Sequence, residues 1–337
     1  MTVQFLVRLR SSATTVAFLA FSMAAPQFAK GQVPAGDVGA PAQIHTLKIT
    51  VLSTMLVGER DGIGEWGFSA LVEADGHRIL VDTGLHPETV LQNAHDLQID
   101  LSDVQEVILT HNHGDHVGGL ITMRREMMKK NPTALSVAHV AKGIFYSRPS
   151  PNGEDNEMIA IRKEYEATGG KFIEHADAVE VFPGAWLSGP VPRKYPEHNW
   201  SVKGKVQTPQ GLVEDTIPED QSLVLNTPRG LVIVTGCGHA GIVNILTYTT
   251  TKYADRPVYG VVGGLHLFPA KDEQLDWTGD EFKQFKVANL LGAHCTGIEA
   301  VYRLRERAGL TRKSAVVGTV GSTFTLVNGI VTGALAQ

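Results

Sequence analysis

Cysteine and charge are both scarce in this sequence: two cysteines in 337 residues, and 19% Asp, Glu, Lys and Arg. Two cysteines cannot form the multi-bridge framework of a disulfide-held scaffold. Acidic residues outnumber basic ones, 35 to 30, for a net charge of −5. That balance argues against a nucleic-acid binder held by phosphate contacts. Several catalytic signatures are missing. There is no Gly-x-Ser-x-Gly elbow, since Ser188 and Ser222 lack its glycines. There is no P-loop, and Gly62-x-Gly64 lacks the rest of a dinucleotide fingerprint. No hydrophobic run is long enough to span a bilayer. The chain is instead rich in glycine (35) and histidine (13), with 43% hydrophobic residues for a core. Its length suits two ordinary domains or one large one, and nothing in it speaks to oligomeric state.

The first segment reads as an address. Arg8 and Arg10 precede a thirteen-residue apolar run, Ala13 to Ala25, followed by small residues suited to cleavage after Ala24 or Ala29. This is the pattern of a secretory signal peptide over residues 1–29, and its removal would take the net charge to −7. A Pro/Gly/Ala linker covers 30–43, and the folded domain is expected over 44–337. The expected product is exported, periplasmic or extracellular, with no stable membrane insertion after cleavage.

In the folded part, Ile44–Leu52 alternates apolar and polar residues as a half-buried strand does. Ser69–Ala74 and Arg78–Asp82 flank Asp75-Gly76, a two-residue hairpin signal. Helices are expected over Glu88–Leu97, Gly119–Lys130, from after His239 to about Tyr253, over Phe282–Leu291 and over Ile298–Ala308. Strands are expected at Val107–Thr110, Ser222–Asn226, Leu231–Thr235 and Val258–Val262, with Ala315–Gly318 opening a last strand pair. Eight prolines between 149 and 218 suggest that residues 131–220 form a loop-rich insertion over the site. Mixed sheets with outer helices fit this order.

The strongest chemical signal is Thr110-His111-Asn112-His113-Gly114-Asp115-His116-Val117-Gly118-Gly119. An apolar strand runs straight into it. His111 and His113 can face one point, and after the turn at Gly114, Asp115 and His116 can face another. Imidazole and carboxylate are ligands for zinc, and also for iron or manganese. With Val81-Asp82-Thr83-Gly84 upstream, this segment resembles the metallo-β-lactamase superfamily. Further segments, Asp220-Gln221-Ser222-Leu223, Thr235-Gly236-Cys237-Gly238-His239-Ala240-Gly241, Gly263-Gly264-Leu265-His266-Leu267 and His294-Cys295-Thr296-Gly297, resemble one of its branches. That branch comprises metal-dependent hydrolases named after dihydropterin ribofuranosylaminobenzene phosphate synthase.

The resemblance implies an α+β fold: an αββα four-layer sandwich of two β-rich halves, with two divalent cations at one edge. It implies that His111 and His113 hold one cation, that Asp115 and His116 hold the other, and that Asp82 orients a ligand histidine. Many members carry Thr-Pro-Gly-His for a third ligand. Here that region reads Ile217-Pro218-Glu219-Asp220-Gln221-Ser222, so Glu219, Asp220 or His239 could take the position. Cys237 falls where many members have a bridging aspartate. It either ligates as a thiolate or packs as a small buried residue. His294 suits the late histidine of the second cation, and His266 also ends a strand in a Gly-rich loop. Cys237 and Cys295 could pair in an oxidising compartment, although free thiols near metal suit their positions better. Arg193 could reach an anionic group of a substrate or simply lie in a surface loop.

Two cations a few ångströms apart can share a water and lower its pKa to about 7. The expected function is therefore a secreted dinuclear-metal hydrolase, zinc first among the metals. Metal-bound hydroxide would attack a small-molecule ester, phosphoester or lactone, with Asp115 and His116 as the catalytic residues. The alternatives are a pterin-type synthase and a non-catalytic metal-binding or ligand-sensing protein.

Overall fold

The computed structural model describes Met1 and residues 41–58, 62–200, 203–253 and 256–333. The chain divides into Met1–Ala40 and Pro41–Gln337. The expected signal peptide and most of the expected linker lie outside the described residues. Among the described residues, no helix is long and apolar enough to cross a membrane.

Pro41–Gln337 folds around two sheets. The first has eight strands in the order Gly329–Val331, Thr323–Thr325, Leu47–Ser53, Ser69–Ala74, His77–Val81, Glu106–Ile108, Val137–Ala141 and Lys171–His175. The second has seven: Ala315–Val317, Leu290–Gly292, Val258–Gly263, Gly230–Thr235, Ser222–Thr227, Ala185–Leu187 and Val179–Phe182. Period-2 alternation decides which face meets what. Val51, Val72, Ile79 and Val81 of the first sheet pack with Leu223, Leu225, Val232 and Val234 of the second, forming the central core. The alternate residues Leu52, Leu71 and Leu80 pack beneath the helices Thr89–Asp96, Leu120–Met127 and Met158–Ala167. On the other side, Leu231, Ile233 and Val261 meet the helices Ile242–Lys252, Asp272–Gln284 and Ile298–Ala308. Helix, sheet, sheet and helix are thus stacked in four layers.

The hairpin at Asp75-Gly76 forms where expected, because both residues take positive φ (46° and 87°). Such a turn matches the right-handed twist of the flanking strands. The expected helix over Phe282–Leu291 is corrected. The helix occupies Asp272–Gln284, Lys286 turns left-handed at φ 55°, and Leu290–Gly292 is a parallel strand inside the second sheet. A short apolar run buried on both faces carries no period that separates strand from helix. The expected last strand pair is also split. Ala315–Val317 completes the second sheet, while the hairpin Thr323–Thr325 with Gly329–Val331 returns to the first.

Residues 131–220 are not one covering insertion. Val137–Ala141 and Lys171–His175 extend the first sheet as parallel strands, and Val179–Phe182 with Ala185–Leu187 closes the edge of the second. Parts of the segments about 148–155 and 200–217 line a cleft over the histidine cluster. Prolines mark where the chain turns here, and the short strands between them still find ladder partners.

Candidate metal centre

Parallel strands deliver nearly every candidate residue to one edge of the sandwich. Asp82 follows His77–Val81, His111 follows Glu106–Ile108, and Cys237 and His239 follow Gly230–Thr235. His266 follows Val258–Gly263, and His294 and Cys295 follow Leu290–Gly292. Loops beyond the carboxyl ends of parallel strands are where such folds bind ligands. The backbone is strained at this edge. Asp82, His266 and His294 hold positive φ of 55°, 49° and 48°. Non-glycine residues rarely adopt this region, and such strain gathers at functional sites.

Two groups of three emerge, each with its ligand atoms within 4.8 Å of one another: His111, His113 and His239, and Asp115, His116 and His294. Cys237 joins His111 and His116 in a third set between them. The structure thus brings together His111, His113, Asp115, His116, His239, His294 and Cys237. His239 fills the third position beside His111 and His113 that the sequence left open. Asp220 instead braces the ligand loop, its Oδ2 accepting the Ala240 N–H at 3.0 Å, and Glu219 pairs with Arg148 at 2.8 Å. His266 lies beside His239, with ring centroids 4.5 Å apart.

Hydrogen bonds on the far side of three of these rings fix which nitrogen faces the site. His116 Nδ1 meets Asp82 Oδ2 at 2.7 Å, and Asp82 also accepts the Thr110 N–H and hydroxyl, each at 2.8 Å. His111 Nδ1 donates to the Thr110 hydroxyl oxygen at 3.0 Å. His239 Nδ1 bonds the Asn199 carbonyl. Each arrangement leaves Nε2 with its lone pair toward the cluster, as ligand histidines require. His111 Nε2 and His239 Nε2 are buried with no hydrogen-bond partner, as are His266 Nδ1 and both nitrogens of His294. His294 Nε2 lies 3.3 Å from Asp115 Oδ2, within ion-pair distance but without hydrogen-bond alignment. Unmade bonds at buried polar atoms cost about 1–3 kcal/mol each. Several such nitrogens converging with a carboxylate and a thiol form a donor set that fits transition-metal cations.

Electrostatics agree. Burial pushes His111 and His239 well below the ordinary imidazole value, and it brings His113 down to about 4 despite the opposing charge of Asp115. These rings are therefore neutral and ready to ligate at pH 7. Burial would lower His294 too, but Cys295 and Asp115 outweigh it and raise it to about 10. Burial opposes ionisation of Asp115, yet His116 and His294 hold its carboxyl far below the usual range.

The glycines in these loops are needed for close approach. A Cβ on Gly236 would lie 2.0 Å from Thr110 Oγ1 and 2.6 Å from Asp82 Oδ2. Arg193, left open from sequence between a substrate contact and a surface loop, is half-buried between two loops. Its guanidinium donates to the carbonyls of Thr216 and Ile217, reaches toward that of His239, and lies 5.2 Å over the Trp200 ring. These bonds tie two loops together, while its Nε is buried with no hydrogen-bond partner. Sequence reading missed the roles of Thr110, the Asn199 carbonyl and Arg148 at the site. For Thr110, adjacency to His111 was a usable signal. A backbone carbonyl 40 residues away has none.

A cleft of about 390 Å³ opens beside the cluster, with His113, His239 and His266 on its floor and Arg148, Trp200 and Lys205 on its walls. Trp66 stands against His294 with ring centroids 5.1 Å apart, and against Phe268 at 5.2 Å. Trp66 and Trp200 thus both reach the site. Phe68 is in the central core, and Trp186 packs with the helices on the second sheet.

Comparison with known proteins agrees with this geometry. The profile of the metallo-beta-lactamase superfamily matches residues 67–131, the stretch that holds Asp82 and the histidine–aspartate loop. The 7,8-dihydropterin-6-methyl-4-(beta-D-ribofuranosyl)-aminobenzene-5'-phosphate synthase of Methanocaldococcus jannaschii is 28% identical, over 77% of this chain and 90% of the synthase. The uncharacterized protein MJ0448 of the same organism is 29% identical, over 71% of this chain and 87% of its own length. The crystal structure of Tm1679, a metal-dependent hydrolase of the beta-lactamase superfamily, superposes with a TM-score of 0.65 at 26% identity, covering 82% of this chain and 98% of that one. The four-layer sandwich, the edge at which the histidines gather and these similarities agree: in fold and in its histidine–aspartate loop the chain is similar to the metallo-β-lactamase superfamily.

Proposed function

We propose that this protein is a hydrolase that holds two divalent cations and cleaves a small ester, phosphoester or lactone. One observation carries the reading. Two adjacent triads of ligand atoms share an edge through Cys237, and the far-side hydrogen bonds of His111, His116 and His239 are already made. His111, His113 and His239 would hold one cation, and Asp115, His116 and His294 the other. Such a pair, zinc being our first choice, supplies hydroxide at neutral pH and polarises the substrate oxygen.

The chain's own residues do the rest. Asp82 keeps the His116 ring turned so that Nε2 faces the site. Asp115, whose side chain is 16% exposed, would serve as a ligand and could pass a proton as bonds break. Trp66 and Phe268, exposed beside His294, offer an apolar wall, and the cleft admits a small molecule. Chelation should abolish turnover of chromogenic phosphodiesters, esters or lactones, and added metal should restore it. Full activity of metal-free protein would rule the reading out, and flat rates across the whole panel would favour a binding protein.

A second reading, a pterin-type synthase, is favoured by the 28% identity that extends over 90% of the archaeal synthase. Formation of that synthase's pterin product by the purified protein would establish it. We also propose that the protein is exported, on the strength of residues 1–29. Export would separate it from cytoplasmic pterin substrates. N-terminal sequencing of the mature protein tests this, and an intact residue 1–24 segment would refute it.

A further inference from the structure

Cys295 is not needed by either triad, yet it is fully buried at their edge, with its sulfur 3.2 Å from that of Cys237. The His266 N–H points to the Cys295 sulfur at 3.3 Å, and the His266 ring offers a buried, unpartnered Nδ1. The ligand atoms of Cys237, Cys295 and His266 all lie within 4.8 Å of one another. We infer that these three residues form a thiolate–imidazole pole of the metal centre, which binds a thiophilic divalent cation such as zinc, cadmium or cobalt. The inference rests on the proposed function, because Cys237 is shared with the dinuclear site.

Four features support a built site. The backbone strain at His266 is maintained by its surroundings, since Leu265 N–H is held by the Thr296 hydroxyl at 3.1 Å. Gly264 is required beside the sulfurs. A Cβ there would lie 2.8 Å from Cys295 Sγ and 2.2 Å from the Gly236 carbonyl. The separation of the sulfurs is also informative. Two thiolates on one tetrahedral zinc, with Zn–S of about 2.3 Å, stand about 3.8 Å apart, whereas a disulfide needs about 2.0 Å. The observed 3.2 Å is nearer the first. Finally, hardness differs across the centre. Asp115 marks the oxygen end, and two sulfurs mark the other. Soft thiolates select zinc, cadmium and cobalt over magnesium, calcium or manganese.

Binding at this pole requires both sulfurs as thiolates, any thiol proton still present passing to solvent as the cation enters, with no change of oxidation state. The pole also gives a reason for two buried cysteines that form neither a disulfide nor part of the apolar core.

The test is cobalt(II) substitution of the reduced, full-length chain, followed by absorption spectroscopy and metal counting. The inference expects an intense near-ultraviolet thiolate-to-cobalt charge-transfer band. The band should fall by roughly half in Cys295→Ser and vanish in the Cys237→Ser/Cys295→Ser double variant. His266→Ala should shift the visible ligand-field bands while leaving both thiols bound. Cobalt uptake by the wild type with no thiolate band would overturn the inference and leave the proposed function standing. So would a band unchanged by Cys295→Ser. No cobalt uptake would overturn both. Absence of titratable thiols in the non-reduced, unfolded protein would show a disulfide instead and would also overturn it. If a cysteine variant fails to fold, the intensity of the wild-type band decides the matter, two bound thiolates supporting the inference and one overturning it.

Discussion

Asp82 and His116, 34 residues apart in sequence, meet at 2.7 Å with both side chains fully buried. Asp82 is held in turn by two bonds from Thr110, so one carboxylate positions both halves of the histidine loop. Residues that orient a metal ligand are worth about 10–100-fold in metal affinity. Asp82→Asn, which keeps the shape and tolerates the left-handed backbone, should weaken binding by about that factor. Competition with a chromophoric chelator measures it, and wild-type affinity would show that the contact is only packing.

Gly236 passes too close to this pair to carry a side chain. Overpacking of this kind costs on the order of 1–3 kcal/mol. Gly236→Ala should therefore lower the urea midpoint of the metal-free protein and also weaken metal binding, because the intruding methyl displaces Asp82. A variant with an unchanged midpoint would contradict the close approach.

Arg193 is assigned to loop anchorage, so its loss should cost stability without selecting among substrates. Leaving its carbonyl partners unsatisfied is worth about 1–3 kcal/mol. Arg193→Ala should show that loss in denaturant unfolding, and KM for anionic and neutral substrates should move in parallel. A KM rise confined to anionic substrates would restore the recognition role.

His294 carries a proton at pH 7 because Cys295 and Asp115 raise it to about 10, whereas His113, at about 4, does not. A metal ligand must be deprotonated. Affinity at the Asp115–His116–His294 triad should thus rise with pH up to about 10, while His113 competes with protons only as pH falls toward 4. Titration calorimetry at pH 7 in buffers of different ionisation enthalpy should detect proton release on metal binding. His294→Ala should remove about one proton from that release. Metal binding with no proton release would contradict this charge assignment.

Much of the fold was legible because its signals were local. Asp75-Gly76 demanded one turn type, and His111 to His116 packed four ligands into six residues. Leu290–Gly292 was misread because a strand buried on both faces has no period. His239 could not be chosen over Asp220 from sequence alone. What separates them is that Asp220 is used by the Ala240 N–H, while the Asn199 carbonyl turns the His239 ring. Arg193 looked available because nothing local reveals that its partners are carbonyls 23 and 24 residues away. Contacts made by the backbone at a distance leave no trace in the residue types.

The central claim is that two adjacent ligand triads each hold a cation. Metal analysis of purified protein, offered zinc and then dialysed, tests it directly. The account predicts two tightly held equivalents in the wild type, with one fewer in His113→Ala and one fewer in His294→Ala. A wild-type protein that retains no stoichiometric metal would contradict it.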